Sequence, residues 1–445
     1  MTSIKEAIQH IPLSRTAFIT NEHEYSYSDI CKLKSNNLKI IQSLRGKNIA
    51  INGRERCEFA LLLSLLDGEV SKILFLPSDI DSSLHNQYYK QAEIDCEVRL
   101  ENSILYVKNI SNKNHETKSC SETEWIIPTS GTTNIPKLVS HSFISLTRST
   151  KFDIEKAYNF RWGLVFDIYR FSGIQVFLQS FLAGSTLIIT NPSQSISETI
   201  RLLAEKGCNA LSATPSFWRK VLMVKESNAL KLKRITLGGE IADQNILYAL
   251  KQKFPKAKIT HIYASTEIGV GFSVNDGKEG FPISFLTGEL KNIKMKVDQD
   301  GLLWIAPSKK GQKYLSSDQM FDKDGYINTG DRVQIKGDRV YFLGRNSGAI
   351  NVGGNKVQPE EVERVLLSSG LVSEAYVYGM KNPIMGSLVC AEVVLSDISM
   401  DKQIAKRQLL KLCQENLENF KVPAIFKFVK ELKTTHSGKL ERKQN

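Results

Sequence analysis

Trp125-Ile126-Ile127-Pro128, followed by Thr129-Ser130-Gly131-Thr132-Thr133-Asn134-Ile135-Pro136-Lys137, is the stretch that decides how this chain folds. An apolar, strand-like run opens into a loop of hydroxyls, one glycine and a closing lysine, and a helix is expected beyond it. Backbone N–H groups, hydroxyls and an ammonium in one flexible loop are the parts needed to hold a polyphosphate. A strand ending in such a loop belongs at the carboxyl edge of an open α/β sheet, where ligands bind. The Gly-Lys-Ser/Thr ending of a Walker loop is absent. Taken alone, the segment reads equally well as a Ser/Thr-rich turn.

The same texture extends in both directions. Upstream, Asn48 to Asn52 and Lys72 to Leu76 read as strands, Cys57 to Leu66 as a helix, and the polar stretch to Glu93 as helix-compatible. Downstream, Ser185 to Ile189, Ala210 to Ala213, Ile235 to Leu237 and Ile259 to Tyr263 are further short strands, with a helical pattern around Leu202 to Ala204. This is the rhythm of βαβ units and a mostly parallel sheet. Residues 111 to 124 are polar throughout and read as a surface loop. From about 286 to 344 turn signals at Asp298 to Gly301, Asp324-Gly325 and Gly337-Asp338 separate short strands, a pattern of hairpins. A last segment holds strands Ala375 to Tyr378, Leu388 to Leu395 and Phe426 to Val429, with helices Glu360 to Leu367 and Lys402 to Glu418. A domain boundary is placed at Arg345 to Gly348.

The 445 residues fit two to three domains at roughly 150 each. With 41% hydrophobic and 24% charged residues, the composition is that of a globular protein, which excludes disordered and fibrous classes. The net charge of +12 suits a polyanionic partner, but it is spread along the chain: residues 345 to 445 hold 15 basic and 11 acidic side chains. No basic tail of the kind that grips nucleic acid is present, and no nucleic-acid partner is expected. Seven scattered cysteines without a Cys-x-x-Cys pair argue against a disulfide framework or a zinc site, and point to a reduced, cytoplasmic protein. Met1 to Thr20 lacks the apolar core of a signal segment, and no run approaches the ~18 residues of a spanning helix, so no membrane insertion is expected.

Six motifs now fall in order. The loop 129 to 137 is followed by Tyr263-Ala264-Ser265-Thr266-Glu267, Thr329-Gly330-Asp331, Gly344-Arg345, Val352-Gly353-Gly354-Asn355-Lys356-Val357 with Pro359-Glu360-Glu361-Val362-Glu363, and Thr435-His436-Ser437-Gly438-Lys439. Together they resemble the AMP-forming adenylate ligases, a superfamily that includes acyl-CoA synthetases, peptide-synthetase adenylation domains and beetle luciferases. The resemblance spans residues 129 to 439. It implies an α/β fold: a large N-terminal adenylate-forming domain (1–345) with stacked sheets and a small β-rich subdomain, and a small mobile C-terminal α+β domain (346–445) bearing a catalytic lysine.

The chemistry implied is activation of a small carboxylic acid by ATP and Mg²⁺ to an acyl-adenylate, then transfer to the thiol of CoA or to the phosphopantetheine of an acyl carrier protein. A non-catalytic nucleotide-binding descendant is the alternative from another class. Adenylate formation concentrates negative charge that cations must meet. By resemblance, Lys439 bridges carboxylate and α-phosphate, Glu267 holds Mg²⁺ with Thr132 and Thr133 supplying hydroxyls, and Thr266 completes the catalytic set. Thr129, Ser130, Gly131, Thr132, Thr133 and Lys137 form the phosphate loop. Asp331 takes the ribose hydroxyls, with Arg345 as a second contact. Tyr263 lies against adenine beside Ala264 and Ser265, with Gly238, Gly239 and Glu240 on the other side, where glycine lets a flat ring approach. Ser347 is the hinge, and Gly353 and Gly354 line a pantetheine channel.

Some positions depart from the family's pattern. Asn134 and Ala264 stand where relatives have glycine, Lys433 where proline is common, and Asn351 where many have a lysine that helps thioester formation. For the acyl pocket, Phe166 to Gly173 falls where relatives have an aromatic-His-x-x-Gly motif, which puts Arg170 at the histidine position, facing either a polar acyl substituent or a neighbouring acid. Gly173, Trp218 and Ser265 are candidate walls. Asp167 is offset from the position that holds a substrate ammonium in amino-acid-activating relatives, so plain carboxylic acids rank above amino acids.

Overall fold

The computed structural model describes residues 2–52, 55–111, 122–129, 137–288, 290, 293–307, 312–315, 319–382, 385–434 and 439–442. Two large sheets are stacked with helices between them. The first has eight strands in the order Gly269–Val274, Lys258–Ser265, Arg234–Gly238, Ala210–Ala213, Arg161–Leu164, Thr186–Ile189, Thr16–Ile19 and Glu24–Ser26. Its six inner strands are parallel and the two edge strands antiparallel. The second has seven, in the order Gln312–Tyr314, Leu138–His141, Glu124–Pro128, Lys72–Phe75, Asn48–Ile51, Cys96–Glu101 and Ile104–Asn109.

Helix Arg56–Leu66 runs FALLLSLL from Phe59 to Leu66 and is buried on every side there, the expected fate of a helix that is apolar all round. With helix Phe171–Phe181 it fills the space between the sheets. Residues of both sheets join these helices in one apolar cluster, among them Phe18, Leu164, Leu187, Phe75 and Trp125.

One expectation is corrected here. No helix follows the phosphate loop directly: Leu138–His141 is a strand antiparallel to Glu124–Pro128, and the helix starts only at Phe143. Within the mostly parallel first third, Cys96–Glu101 and Ile104–Asn109 pair as an antiparallel hairpin. Asn102 and Ser103 turn it with φ of 49° and 65°, the left-handed pair that a two-residue hairpin loop demands.

A five-stranded antiparallel sheet, in the order Phe281–Pro282, Arg339–Arg345, Ile327–Lys336, Leu302–Pro307 and Ile293–Val297, packs against the edge of the first sheet. Phe272, Phe281 and Phe342 bring the two together. After Arg345 come a short 3₁₀ turn at Asn346–Gly348, the hairpin Ile350–Val352 with Asn355–Val357, helix Pro359–Ser368, a three-stranded sheet and helix Lys402–Asn416. This last part has its own apolar clusters, and among the described residues no apolar cluster contains residues from both sides of Arg345.

Candidate active site

The carboxyl ends of two adjacent parallel strands set the floor of the site. Strand Lys258–Ser265 leads directly into Thr266 and Glu267. The Thr266 carbonyl accepts from His141 Nε2 at 2.8 Å, a bond that reaches across from the second sheet. His141 is fully enclosed, and burial pushes its imidazole down to about 4. It is therefore neutral at physiological pH, a fixed donor that pins the backbone just before Glu267. Its Nδ1 lies 3.0 Å from Ser145 Oγ.

Strand Arg234–Gly238 ends in Gly239, whose φ of 82° is open to glycine at little cost. A Cβ built there would lie 2.9 Å from Lys439 Cε, so the hydrogen in place of a side chain is what admits the lysine. Burial pulls the Lys439 ammonium below the ordinary lysine value, Glu240 opposes that, Arg345 and Arg170 push it further down, and Glu267 raises it. Glu240, Arg345, Arg170 and Glu267 thus all act on the Lys439 ammonium. Residues 435 to 438 lie outside the described part, but the base of their loop is set by an antiparallel bridge between Thr434 and Leu440.

The third wall comes from the five-stranded sheet, where register puts Asp331 opposite Arg345. Arg345 Nε lies 2.8 Å from Asp331 Oδ1, and its Nη1 donates to the Thr329 carbonyl at 3.1 Å. The Tyr263 hydroxyl donates to the other Asp331 oxygen. Burial raises the Asp331 carboxyl above its usual range, against Arg345, the Tyr263 bond and Lys439, which favour the anion.

The geometry gives several of the expected site residues partners within the protein. The Tyr263 ring stacks on Phe272 at 5.2 Å and on Phe342 at 5.1 Å, an aromatic bridge between two sheets. Glu240 has protein partners: its Oε2 accepts from Ser216 N at 2.9 Å and its Oε1 from Leu440 N at 3.0 Å. Trp218 is no pocket wall: it is completely buried beside Phe254 and donates to the Thr236 carbonyl. Gly173 is needed for packing, since a Cβ there would sit 2.1 Å from the Asp167 carbonyl oxygen. Arg170 faces acids of its own chain, with Nη2 at 2.7 and 2.9 Å from the Asp79 oxygens, while Nη1 reaches the Pro128 carbonyl at 3.3 Å. Ser265 Oγ accepts from Ile268 N, closing a turn, and Ala264 packs on the main core.

Of the phosphate loop, Thr129 and Lys137 are described. They pinch its base, with Thr129 N donating to the Lys137 carbonyl at 2.8 Å and Lys137 N to Thr129 Oγ1 at 3.2 Å. The Lys137 ammonium lies 5.0 Å from the centre of the Tyr314 ring. Ser130, Gly131, Thr132 and Thr133 lie outside the described residues, as do 112 to 121 of the expected surface loop. Ser347 is exposed in the 3₁₀ turn after Arg345. Gly353 and Gly354 form the tip of the hairpin after it, with Gly353 N bonded to the Met385 carbonyl, and are not brought to Lys439. Residues that the sequence did not single out are His141, Asp79 and Ser216. A lone histidine and a helix-start serine have no spacing that marks them.

Comparison with known proteins assigns the chain. The AMP-binding enzyme family matches residues 67–323, and the AMP-binding enzyme C-terminal domain matches residues 361–439. The chain belongs to the AMP-binding enzyme family. Among curated members, a 2-succinylbenzoate–CoA ligase of Bacillus pumilus (strain SAFR-032) is 28% identical over 352 residues, covering 72% of this chain and 68% of that protein. A D-alanine–D-alanyl carrier protein ligase of Bacillus mycoides (strain KBAB4) is 26% identical over 371 residues, covering 76% and 72%. Among solved structures, an anthranilate CoA ligase in complex with anthranoyl-AMP superimposes with a TM-score of 0.80 at 14% identity, over 98% of this chain and 95% of that one. The Bacillus subtilis o-succinylbenzoate CoA synthetase with ATP and magnesium gives 0.70 at 19% identity, over 98% and 97%. The fold of this AMP-binding enzyme is therefore that of the adenylate-forming ligases.

In such an enzyme a magnesium ion is shared with the nucleotide's phosphates. Glu267 suits it, since it offers a hard carboxylate oxygen in the same field as Lys439, Arg345 and Asp331. Among the described residues no group of three or more His, Cys, Asp or Glu that could hold a metal ion is found.

Proposed function

We propose that the chain is an AMP-forming acid–thiol ligase. The carboxylate oxygen of a small acid attacks the α-phosphorus of ATP, the bond to the β,γ-phosphates breaks, and pyrophosphate leaves with the acyl-adenylate formed. A thiolate, the proton of the thiol having gone to solvent, then attacks the acyl carbon and AMP departs, leaving a thioester. The observation that carries this reading is the Lys439 side chain resting on Gly239 among Glu267, Arg345 and Arg170. Cations gathered at that point meet the charge that builds where carboxylate and α-phosphate join. When bound, magnesium at Glu267 would neutralise phosphate charge during departure of pyrophosphate. Asp331, held by Arg345 and Tyr263, is the acceptor for the ribose hydroxyls.

We assign residues 1–345 to adenylation and 346–445 to a unit that moves about Ser347 between the two half-reactions; separate apolar clusters on the two sides support this. CoA is our first choice of thiol, with an acyl carrier protein as the alternative; curated relatives of similar identity include ligases named for each. We place the enzyme in the cytoplasm; among the described residues no helix is long and apolar enough to cross a membrane.

The test is pyrophosphate release from Mg-ATP with a panel of short, hydroxylated, aromatic and long-chain acids, with and without CoA, beside Lys439→Ala. Release that requires an acid, is abolished in Lys439→Ala and is accelerated by CoA is expected. Acid-dependent release indifferent to CoA moves the acceptor to a carrier protein, and ATP binding without release for any acid overturns the ligase reading.

A further inference from the structure

Two hydrogen bonds hold the Lys439 loop by its backbone, and both lead to helix Pro215–Met223. On one side Leu440 N donates to Glu240, whose second oxygen accepts from Ser216 N in the first turn of that helix. On the other, Leu432 N donates to Glu374 Oε2 at 3.3 Å, and Glu374 Oε1 lies 3.7 Å from Lys220 Nζ. Ser216 and Lys220 are four apart, so they share one face of the helix. An antiparallel bridge joins Thr434 to Leu440, and Glu441 N donates to the Lys433 carbonyl at 3.0 Å. Behind the hairpin Arg442 donates to both Glu363 oxygens, at 3.1 and 2.8 Å, which fixes it to helix Pro359–Ser368.

The Lys439 hairpin thus reaches helix Pro215–Met223 through the Glu240 carboxylate and through the ion pair Lys220–Glu374. The pair crosses from the part before Arg345 to the part after it. Glu374 is 93% enclosed, a position where a carboxylate needs partners. Lys220, whose side chain keeps 27% of its surface exposed, is the partner that meets it across the boundary.

We propose that Lys220 and Glu374 are positioning residues for Lys439: their ion pair latches the lysine hairpin onto helix Pro215–Met223 for adenylate formation and is released for the thiol step. The inference rests on the ligase reading above. It makes the two half-reactions unequal in their need for the pair, because the thiol step requires Lys439 to leave. A residue that only stabilised the fold would affect both alike.

The experiment uses the full chain with Lys220→Met, which keeps the apolar stem, Glu374→Gln, which keeps an acceptor for Leu432 N, and the double variant. Each single variant is expected to lower kcat for acid-dependent pyrophosphate release roughly three- to fivefold, with a smaller change in KM for ATP. Thioester formation from supplied acyl-adenylate is expected to change less than kcat for release. The double variant should match the singles rather than multiply them, since the partners act as one unit. Equal losses in both half-reactions, or multiplied losses in the double variant, overturn the latch. A second readout is independent of any activity: hydrogen exchange of the Leu440 amide should quicken in Lys220→Met, and an unchanged rate overturns the proposal. If wild type releases no pyrophosphate with any acid, the ligase reading falls, and the exchange measurement alone decides whether the latch exists.

Discussion

Replacing Gly239 by alanine puts a methyl group where the Lys439 stem now passes. The added Cβ would stand 2.9 Å from Cε and 3.7 Å from Nζ. Carbon atoms rest comfortably at about 3.5 to 4 Å, so Cε must retreat by roughly 0.6 to 1 Å. Cε is near the end of a flexible side chain, and moving it costs folding little. The backbone is the larger stability cost: a φ of 82° charges an L-residue about 1 to 2 kcal/mol. The functional loss should be greater, because a misplacement of about 1 Å at a reacting centre can cost on the order of a hundredfold. We therefore expect Gly239→Ala to stay folded, with acid-dependent pyrophosphate release reduced roughly 10- to 100-fold. Thioester formation from supplied acyl-adenylate should fall far less, since Lys439 is not required over Gly239 for that step. Single-turnover assays of the two half-reactions, beside a thermal melt, measure all three quantities. Unchanged pyrophosphate release would refute the claim that Lys439 works from this position. Equal loss in both half-reactions would reduce the glycine to a structural one.

Three further outcomes follow from the same geometry. Burial pulls the Lys439 ammonium down and Glu240 holds it up, so Glu240→Gln should shift the alkaline limb of the pH–rate profile for pyrophosphate release to lower pH; a limb that stays put contradicts the pairing. His141 is depressed to about 4 in the fold, so the stability it contributes is complete above its unfolded value of 6.5 and is lost as pH falls through about 4. Denaturant titrations should show wild type losing on the order of 3 kcal/mol more than His141→Gln over that interval, and parallel pH dependences would mean that the imidazole is not buried neutral. Gly173→Ala drives a methyl to 2.1 Å from the Asp167 carbonyl, backbone that cannot step aside, and should cost about 3 kcal/mol or more. An unaltered melting temperature with a changed preference among acids would return Gly173 to the role of a pocket wall.

What the sequence disclosed, and what it hid, divides along physical lines. Strands buried on both faces announce themselves as apolar runs, and Asn48–Ile51 and Ala210–Ala213 lie where those runs predict, while Arg234–Gly238, found from its Ile235–Leu237 segment, alternates buried and half-buried positions. Turn chemistry placed the hairpins around Asp298 to Gly301 and Gly337-Asp338. The same rule applied to Asn102-Ser103 would have revealed the hairpin that was missed. Motif order brought Asp331, Arg345 and Lys439 forward, and the fold gathers them; Gly239, expected beside adenine, is where the Lys439 stem passes. Partner choice stayed invisible. Nothing in the spacing says that Arg170 is met by Asp79, ninety-one positions away, or that two phenylalanines take the Tyr263 ring. Trp218 misled for a related reason: an aromatic after a strand end reads alike whether its helix turns it to the pocket or, as here, into the core.

The character of the contacts across Arg345 bears on how such an enzyme could run two reactions in one site. The part after Arg345 packs its own apolar cluster around Val357, Val362, Leu366, Val377 and Val393. What joins it to the rest is polar: Leu440 on Glu240, Lys220 with Glu374, Arg364 to the Phe342 carbonyl at 2.8 Å and to Glu279 at 3.4 Å. Polar bonds of this kind are exchanged for water at small net cost, whereas an apolar seam would have to be exposed to open. A lysine that must be present for the first step and absent for the second is best mounted on a unit held this way. The strong clamp is placed elsewhere: Arg442 on Glu363 binds the hairpin to its own side of the boundary. In the proposed two-step reading Lys439 would travel with the part after Arg345, its geometry kept by Arg442 while its docking is decided at Lys220 and Glu240.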